Sequence, residues 1–215
     1  ALSVHSHRPE VEDGMITLVP GNLARKLAAI EHLVALRAQG RFHDGVCLNP
    51  VLCRPTLLEM EDYIAFYGER GLEDIRFNYI WPQGDVQRDA AWIPSYRQAM
   101  PVILRVLLVN EKRLRRRLSF GGIPRCALRL AGVSGRLRDY LADKYLDESM
   151  LDLDNDVSMA TKEGPMEDRF VWQQVKRDIL KTQGPGCAGC AHQARCEGVW
   201  KTYADLYGLE EFHDD

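Results

Sequence analysis

The sequence predicts an α/β protein: an incomplete parallel (β/α) barrel followed by a small cysteine-rich C-terminal domain. Three observations predict it. Short apolar runs alternate with helix-length amphipathic segments over residues 1–125, the pattern of βαβ units and a parallel sheet. Only three or four strands can be counted, well short of the eight that close a barrel. Three of the six cysteines then crowd into the ten residues from Cys187 to Cys196, which sets residues 126–215 apart as a second unit.

Each element can be justified in turn. Leu2 and Val4 alternate with Ser3 and His5, a short strand with nothing upstream to pair with. A strand needs neighbours, so an earlier half of the chain or a partner chain is expected to supply the missing edge. Asn22 is a candidate cap for a helix in which Leu23, Leu27, Ile30 and Val34 repeat at helical spacing and which Gly40 ends. Val46 to Leu52 reads as a strand stopped near Pro55. Thr56-Leu57-Leu58-Glu59 reads as a capping box opening a helix to about Tyr67. Asp74 to Ile80 is the next strand, with Ile75, Phe77 and Tyr79 on one face and Arg76, Asn78 and Ile80 on the other. A turn follows at Pro82 to Asp85. A third helix is expected over roughly Tyr96 to Leu118, disturbed near Pro101, before the Gly121-Gly122-Ile123-Pro124-Arg125-Cys126 turn. In parallel sheets of this kind ligands sit beyond the carboxyl ends of the strands.

Between Asp143 and Asp168 there are nine acids against Lys144 and Lys162. The stretch from about 139 to 168 therefore reads as an acidic, solvated linker, with metal binding as the other reading.

Lysine and arginine number 28 against 31 aspartate and glutamate, a formal charge of −3. That balance argues against a general nucleic-acid binder, which carries a basic excess. The run Lys112-Arg113-Leu114-Arg115-Arg116-Arg117 reads as a solvated helix end that complements the macrodipole, with an RNA or acidic-peptide contact as the alternative. No apolar run approaches the roughly 20 residues of a membrane span. The opening residues have neither the basic region nor the apolar region of a signal peptide, so a cytoplasmic location is expected. Nucleotide-loop, zinc-protease and serine-nucleophile motifs are absent from the sequence. Trp81, Trp92, Trp172 and Trp200 read as packing residues.

The chemistry is carried by cysteine. Cys187-x2-Cys190-x5-Cys196 can aim three sulfurs at one ion or cluster, with Pro185 and Gly186 shaping the loop. Three thiolates fall short of four. Cys126, in a glycine-bearing loop, is the natural fourth, and His192 is the alternative. Four thiolates suit tetrahedral zinc or an iron–sulfur cluster. Cys47, in an apolar strand, reads as a small hydrophobe; Cys53 reads the same way, with a reactive thiol as the alternative.

The run Cys187-x2-Cys190-x5-Cys196-Glu-Gly-Val-Trp200-x2-Tyr203-x3-Tyr207-Gly208-x2-Glu211-Phe212 resembles the C-terminal signature of radical S-adenosylmethionine (SAM) proteins with an auxiliary cluster of the SPASM/twitch type. Gly122-Ile123-Pro124-Arg125-Cys126 is similar to the segment where those proteins place another auxiliary ligand. Leu2-Ser3-Val4-His5, Val46-x2-Asn49-Pro50-Val51 and Ile75-Arg76-Phe77-Asn78 with Pro82-x-Gly84 resemble their fourth, fifth and sixth barrel strands. The resemblance implies the C-terminal half of such an enzyme, with one auxiliary [4Fe–4S] cluster on Cys126, Cys187, Cys190 and Cys196. It further implies Ser3 and Asn49 as SAM contacts and a peptide or protein substrate. In a complete enzyme of this family a first cluster reduces SAM, and the resulting radical abstracts a substrate hydrogen. Two departures matter. The C-x3-C-x2-C motif that holds that first cluster is missing, so this chain alone is not expected to cleave SAM, and no catalytic residue is singled out. The full signature also continues with cysteine where this chain has Trp200, which leaves one auxiliary cluster. A non-catalytic zinc-binding interaction module is the alternative.

Overall fold

A computed structural model describes residues 1–43, 45–72, 74–82, 84, 89–146, 156–157 and 170–212. Its centre is a parallel sheet. Strands β1 (Cys47–Leu48) and β2 (Val51–Leu52) both pair with β3 (Asp74–Tyr79), as Cys47↔Asp74, Leu48↔Ile75, Val51↔Asn78 and Leu52↔Tyr79. The register is unbroken, so β1 and β2 are one strand interrupted at Asn49-Pro50. Pro50 has no N–H to give a ladder, but its carbonyl still accepts from the Asn78 amide at 2.9 Å. On the far side of β3 lies β4 (Arg117–Gly121), paired over five residues. Parallel bridges add Leu2 beside Leu48 at one edge and Leu146 beside Phe120 at the other. Spatial order therefore follows chain order from one edge to the other, without the reversal of a doubly wound sheet. Among the described residues the sheet does not close into a barrel.

Helical segments fill the crossovers. α1 (Pro9–Val11) runs into a π-turn at Glu12–Ile16 and then α2 (Asn22–Ala38); α3 (Arg54–Leu57) and α4 (Met60–Glu69) follow β2; α5 (Tyr96–Val109) and α6 (Gly135–Tyr145) flank β4. Their apolar faces cover one side of the sheet. Ile75, Phe77 and Tyr79 are buried against them, as the alternation predicts, while Arg76 and Asn78 on the other side are half-buried. No described helix is long and apolar enough to cross a membrane.

Several boundaries move for tertiary reasons. Asn22 is the first residue of α2 rather than its cap; the Asp13 carboxylate does the capping, accepting from Gly21 N at 2.9 Å and Leu23 N at 2.7 Å. Thr56 belongs to a capping box that starts at Cys53, accepting from the Cys53 amide at 3.1 Å. Glu59 does not cap its own helix, because it accepts from Ser6 Oγ at 2.8 Å and pairs with Arg8 at 3.1 Å. α5 runs straight through Pro101 and stops at Val109. A π-turn (Asn110–Leu114) follows, and the Asn110 side chain grips Arg116 N at 2.9 Å and its carbonyl at 3.0 Å, turning the chain into β4. The basic run begins in the last helical turn, which holds Lys112 and Arg113, and ends at the start of β4, with Arg113 paired to Glu61 and Arg117 to Asp74.

In the tail, β5 (Asp156–Val157) pairs with β6 (Phe170–Val171), followed by α7 (Trp172–Val175), a π-turn at Lys176–Leu180, the hairpin β7 (Lys181–Thr182) with β8 (Val199–Trp200), and α8 (Lys201–Tyr207). Val199, Trp200, Tyr203 and Phe212 share one hydrophobic cluster with the sheet residues. The first residues assigned to the acidic linker, from 139, belong to α6 and the Leu146 bridge. The rest of the linker lies outside the described residues apart from the short β5. The Pro82 to Asp85 turn is described only at Pro82 and Gly84.

Glu12 is fully buried and is held by the amides of His5 (2.8 Å) and Ser6 (2.9 Å) and by Lys26 Nζ (2.5 Å). Replacing it, as Glu12→Ala, leaves two backbone donors and an ammonium without their acceptor. Urea titration is expected to show a loss of about 3–5 kcal/mol; a loss below about 1 kcal/mol would refute this role for the carboxylate.

Candidate metal centre

The β7–β8 hairpin carries the cysteine loop at its tip. A 3₁₀ turn (Pro185–Cys187) starts it, and the Cys190 amide donates to Cys187 O at 3.1 Å and the Cys196 amide to His192 O at 2.9 Å. The Gln183 side chain spans the loop, donating to Gln193 O (2.9 Å) and Cys196 O (2.7 Å). Two backbone amides donate to sulfur, His192 N to Cys190 Sγ at 3.4 Å and Gly198 N to Cys196 Sγ at 3.3 Å. Such N–H···S bonds favour sulfur carrying negative charge.

Cys126 arrives from elsewhere in the chain. It lies in the 3₁₀ turn Arg125–Ala131 after β4, and that region is held by Tyr96 Oη donating to Gly122 O at 2.6 Å. All four cysteines line one small pocket, partly open to solvent, together with Arg125, Arg138, Gln183, His192 and Gln193. Arg125 is also paired with Asp143 at 2.6 Å.

Four soft thiols suit zinc or an iron–sulfur cluster, and the two differ in the spacing they require. Tetrahedral zinc, with sulfurs about 2.3 Å from the metal, draws its ligands to a point. A four-iron cluster takes each thiolate on a separate iron, so its ligands stand around a cavity. Among the described residues no three His, Cys, Asp or Glu side chains converge as a single-ion site, yet the four thiols surround one pocket. His192 also faces the pocket, which keeps a Cys3His set available.

All six cysteines are thiols. Cys53 is buried, and burial pushes its thiol up, with the Thr56 hydrogen bonds opposing; the reactive-thiol reading has no support. Cys47 is half-buried rather than packed in the core, and sits on the polar side of the sheet. Burial and then the Asp74 carboxylate push its thiol up.

Behind the loop is a buried charge cluster that the sequence reading passed over. Glu197, next to Cys196, is 8% exposed; its Oε2 accepts from Lys181 Nζ at 2.6 Å, and its Oε1 has Lys176 Nζ at 2.9 Å. The Lys176 contact is an ion pair whose angles fall outside hydrogen-bond geometry, so Oε1 makes no hydrogen bond. Lys181 also lies 4.7 Å from the centre of the Trp200 ring, and burial lowers its pKa while Glu197 opposes the shift. Trp200 stacks on Trp81 (4.7 Å between centres, 10° between planes), with Trp172 5.3 Å from Trp81. The position where a further cysteine would extend the signature is thus filled by a buried packing residue.

Ser3 and Asn49, the residues implied as SAM contacts, do not stand at strand ends: Asn49 lies mid-strand between β1 and β2, within a polar row that crosses the middle of the sheet. Continuing the register of the Leu2↔Leu48 bridge sets Ser3 level with Asn49, that of β1 and β2 sets Asn49 level with Arg76, and Arg76 pairs with Ser119. Ser3, Asn49, Arg76 and Ser119 therefore make one row across four strands, on the side away from the helices. Asn78 Nδ2 donates to Asn49 Oδ1. Gly121 permits this: a Cβ there would stand 2.7 Å from Asn78 Oδ1.

Sequence reasoning missed Arg138, Lys176, Lys181 and Glu197 because they carry no spacing signal. Arg125 stands inside the quoted motif, and Arg76 was read as facing away from the apolar side; the alternation was the available clue to it. Comparison with family models, with curated proteins and with solved structures finds no match to this chain.

Gly198 has a left-handed φ of +76°, and a Cβ there would fall 2.0 Å from the Thr182 carbonyl oxygen. Gly198→Ala is expected to force the β7–β8 hairpin apart at a cost of at least about 2 kcal/mol, about 4–8 °C in Tm for a chain of this size. An unchanged Tm by calorimetry would contradict it.

Proposed function

We propose that the chain is the C-terminal portion of a radical SAM iron–sulfur oxidoreductase or maturase, in which Cys126, Cys187, Cys190 and Cys196 hold one auxiliary [4Fe–4S] cluster. The observation that carries this reading is the pocket that joins Cys126, from the turn after β4, to the three tail cysteines. The parallel sheet whose strands follow chain order supports a partial, TIM-like (β/α) barrel. The polar row on its helix-free side supports Ser3 and Asn49 as contacts for SAM, with an upstream half or a partner chain completing the barrel.

A bound cluster of this kind supplies one-electron transfer or a site for substrate. The chain's own residues hold it: the amides of His192 and Gly198 donate to sulfur, Arg125 and Arg138 offset negative charge, and Gln183 braces the loop. The substrate class proposed is a peptide or protein side chain, and the compartment proposed is the cytoplasm.

The alternative is a zinc-binding structural or interaction module, favoured by His192 on the pocket wall. Anaerobic reconstitution separates the two. About four irons and four sulfides per chain, with broad visible absorption lost in Cys126→Ala and in Cys190→Ala, is the expected result. One zinc and no iron, persisting after reconstitution, would move the assignment to the zinc module.

The missing C-x3-C-x2-C motif makes a second prediction. Under strong reductant with SAM, the purified chain is expected to release no 5′-deoxyadenosine; release above background in liquid chromatography would overturn it.

A further inference from the structure

The Lys176–Glu197–Lys181 cluster has a charge imbalance. Two ammonium groups share one carboxylate, and all three residues are more than nine-tenths buried. Burying an ion costs several kcal/mol unless it is compensated, and one positive charge of this triad has no carboxylate of its own among the ion pairs of the described residues. A surface origin does not explain it, since the ammonium of Lys181 is packed over the Trp200 ring instead of reaching for water.

The position of the triad supplies the compensation. Glu197 is bonded to Cys196, and Lys181 opens the strand whose hairpin partner follows the cysteine loop. Lys181 Nζ bonds the Glu197 carboxylate at 2.6 Å, on the residue that follows Cys196. Arg125 and Arg138 line the pocket as well, each also paired with a carboxylate, Asp143 and Asp139. The triad thus adds buried net positive charge beside Cys196.

The geometry points to a positioning and tuning role: the Lys176–Glu197–Lys181 triad raises the reduction potential of the cluster proposed for the four thiols. One-electron reduction by an external donor adds a negative charge to a site that is already anionic, and a fixed buried cation stabilises the reduced form more than the oxidised form. Trp200 and Trp81 form the apolar back of the triad, keeping water from screening it. This inference rests on the cluster reading above and adds which residues regulate that site.

The test is a dye-mediated redox titration at neutral pH, followed by visible absorption and electron paramagnetic resonance, on the reconstituted chain and on Lys181→Met, Lys176→Met and Lys181→Arg. Iron and sulfide are counted in each, and apo-protein Tm is recorded to register any purely structural effect. Lys181→Met and Lys176→Met are each expected to lower the reduced-to-oxidised ratio at fixed potential about threefold to tenfold, about 28–59 mV at 59 mV per decade for one electron. Lys181→Arg, which keeps the charge, is expected to restore the parent midpoint. Parent iron content with unmoved midpoints in both methionine variants overturns this inference alone. So does a Lys181→Arg midpoint that follows Lys181→Met. A parent chain that takes up no iron overturns the cluster reading and this inference with it. If one methionine variant fails to fold, the other decides.

Discussion

The joint between Tyr96 and Tyr203 holds the two ends of the molecule together. Tyr203 Oη accepts from the Tyr96 amide at 2.9 Å, an N–H in the first turn of α5 that has no partner within its own helix, and it also contacts Glu211. Tyr96 in turn donates to Gly122 O at 2.6 Å. A short chain of hydrogen bonds therefore runs from the C-terminal helix, through the start of α5, to the turn that leads to Cys126. The rings of Tyr79, Tyr96, Tyr203 and Phe212 pack around it. Bonds from Tyr207 to Ile93 O at 2.7 Å and from Thr202 to Pro82 O at 3.3 Å fasten the same helix to the residues after β3.

Burial of charge follows one rule throughout. Glu12 takes two backbone amides and a lysine, and Glu59 takes a serine hydroxyl and an arginine. Both tie the first segment of the chain to the helices that cover the sheet, where a buried carboxylate without donors would be costly. Glu197 is different, because its two lysines outnumber it and it stands beside the sulfurs. The same chemistry that closes the fold at one end leaves net charge at the other, beside Cys196.

The sheet has two unlike sides. Helices bury Ile75, Phe77, Tyr79, Leu118 and Phe120 on one, while Cys47, Asn49, Arg76, Asn78 and Ser119 line the other. Alternation along a strand makes both sides inevitable once the register is set. The polar row therefore comes from the same pairing that builds the core, and a ligand meeting it would touch several strands at once.

Periodicity and spacing determined much by themselves. The alternation in β3, the apolar repeats of α2 and the cysteine loop were legible because each depends on residues close in sequence. Other features depended on contact between distant segments. Asp13 caps α2 and Asn110 ends the helical run of α5 by bonds that no local propensity announces, which is why the caps expected at Asn22 and Thr56 shift in the fold. Cys126 could be named as a candidate from its loop, but its meeting with the other three thiols needed the packing of the C-terminal segment against α5 and the turn after β4. The Lys176–Glu197–Lys181 triad had no sequence signal at all: its imbalance exists only once folding removes those three charges from water. Local pattern chose the elements, and burial chose their partners, because the cost of an unpaired polar group is felt only after the chain has closed around it.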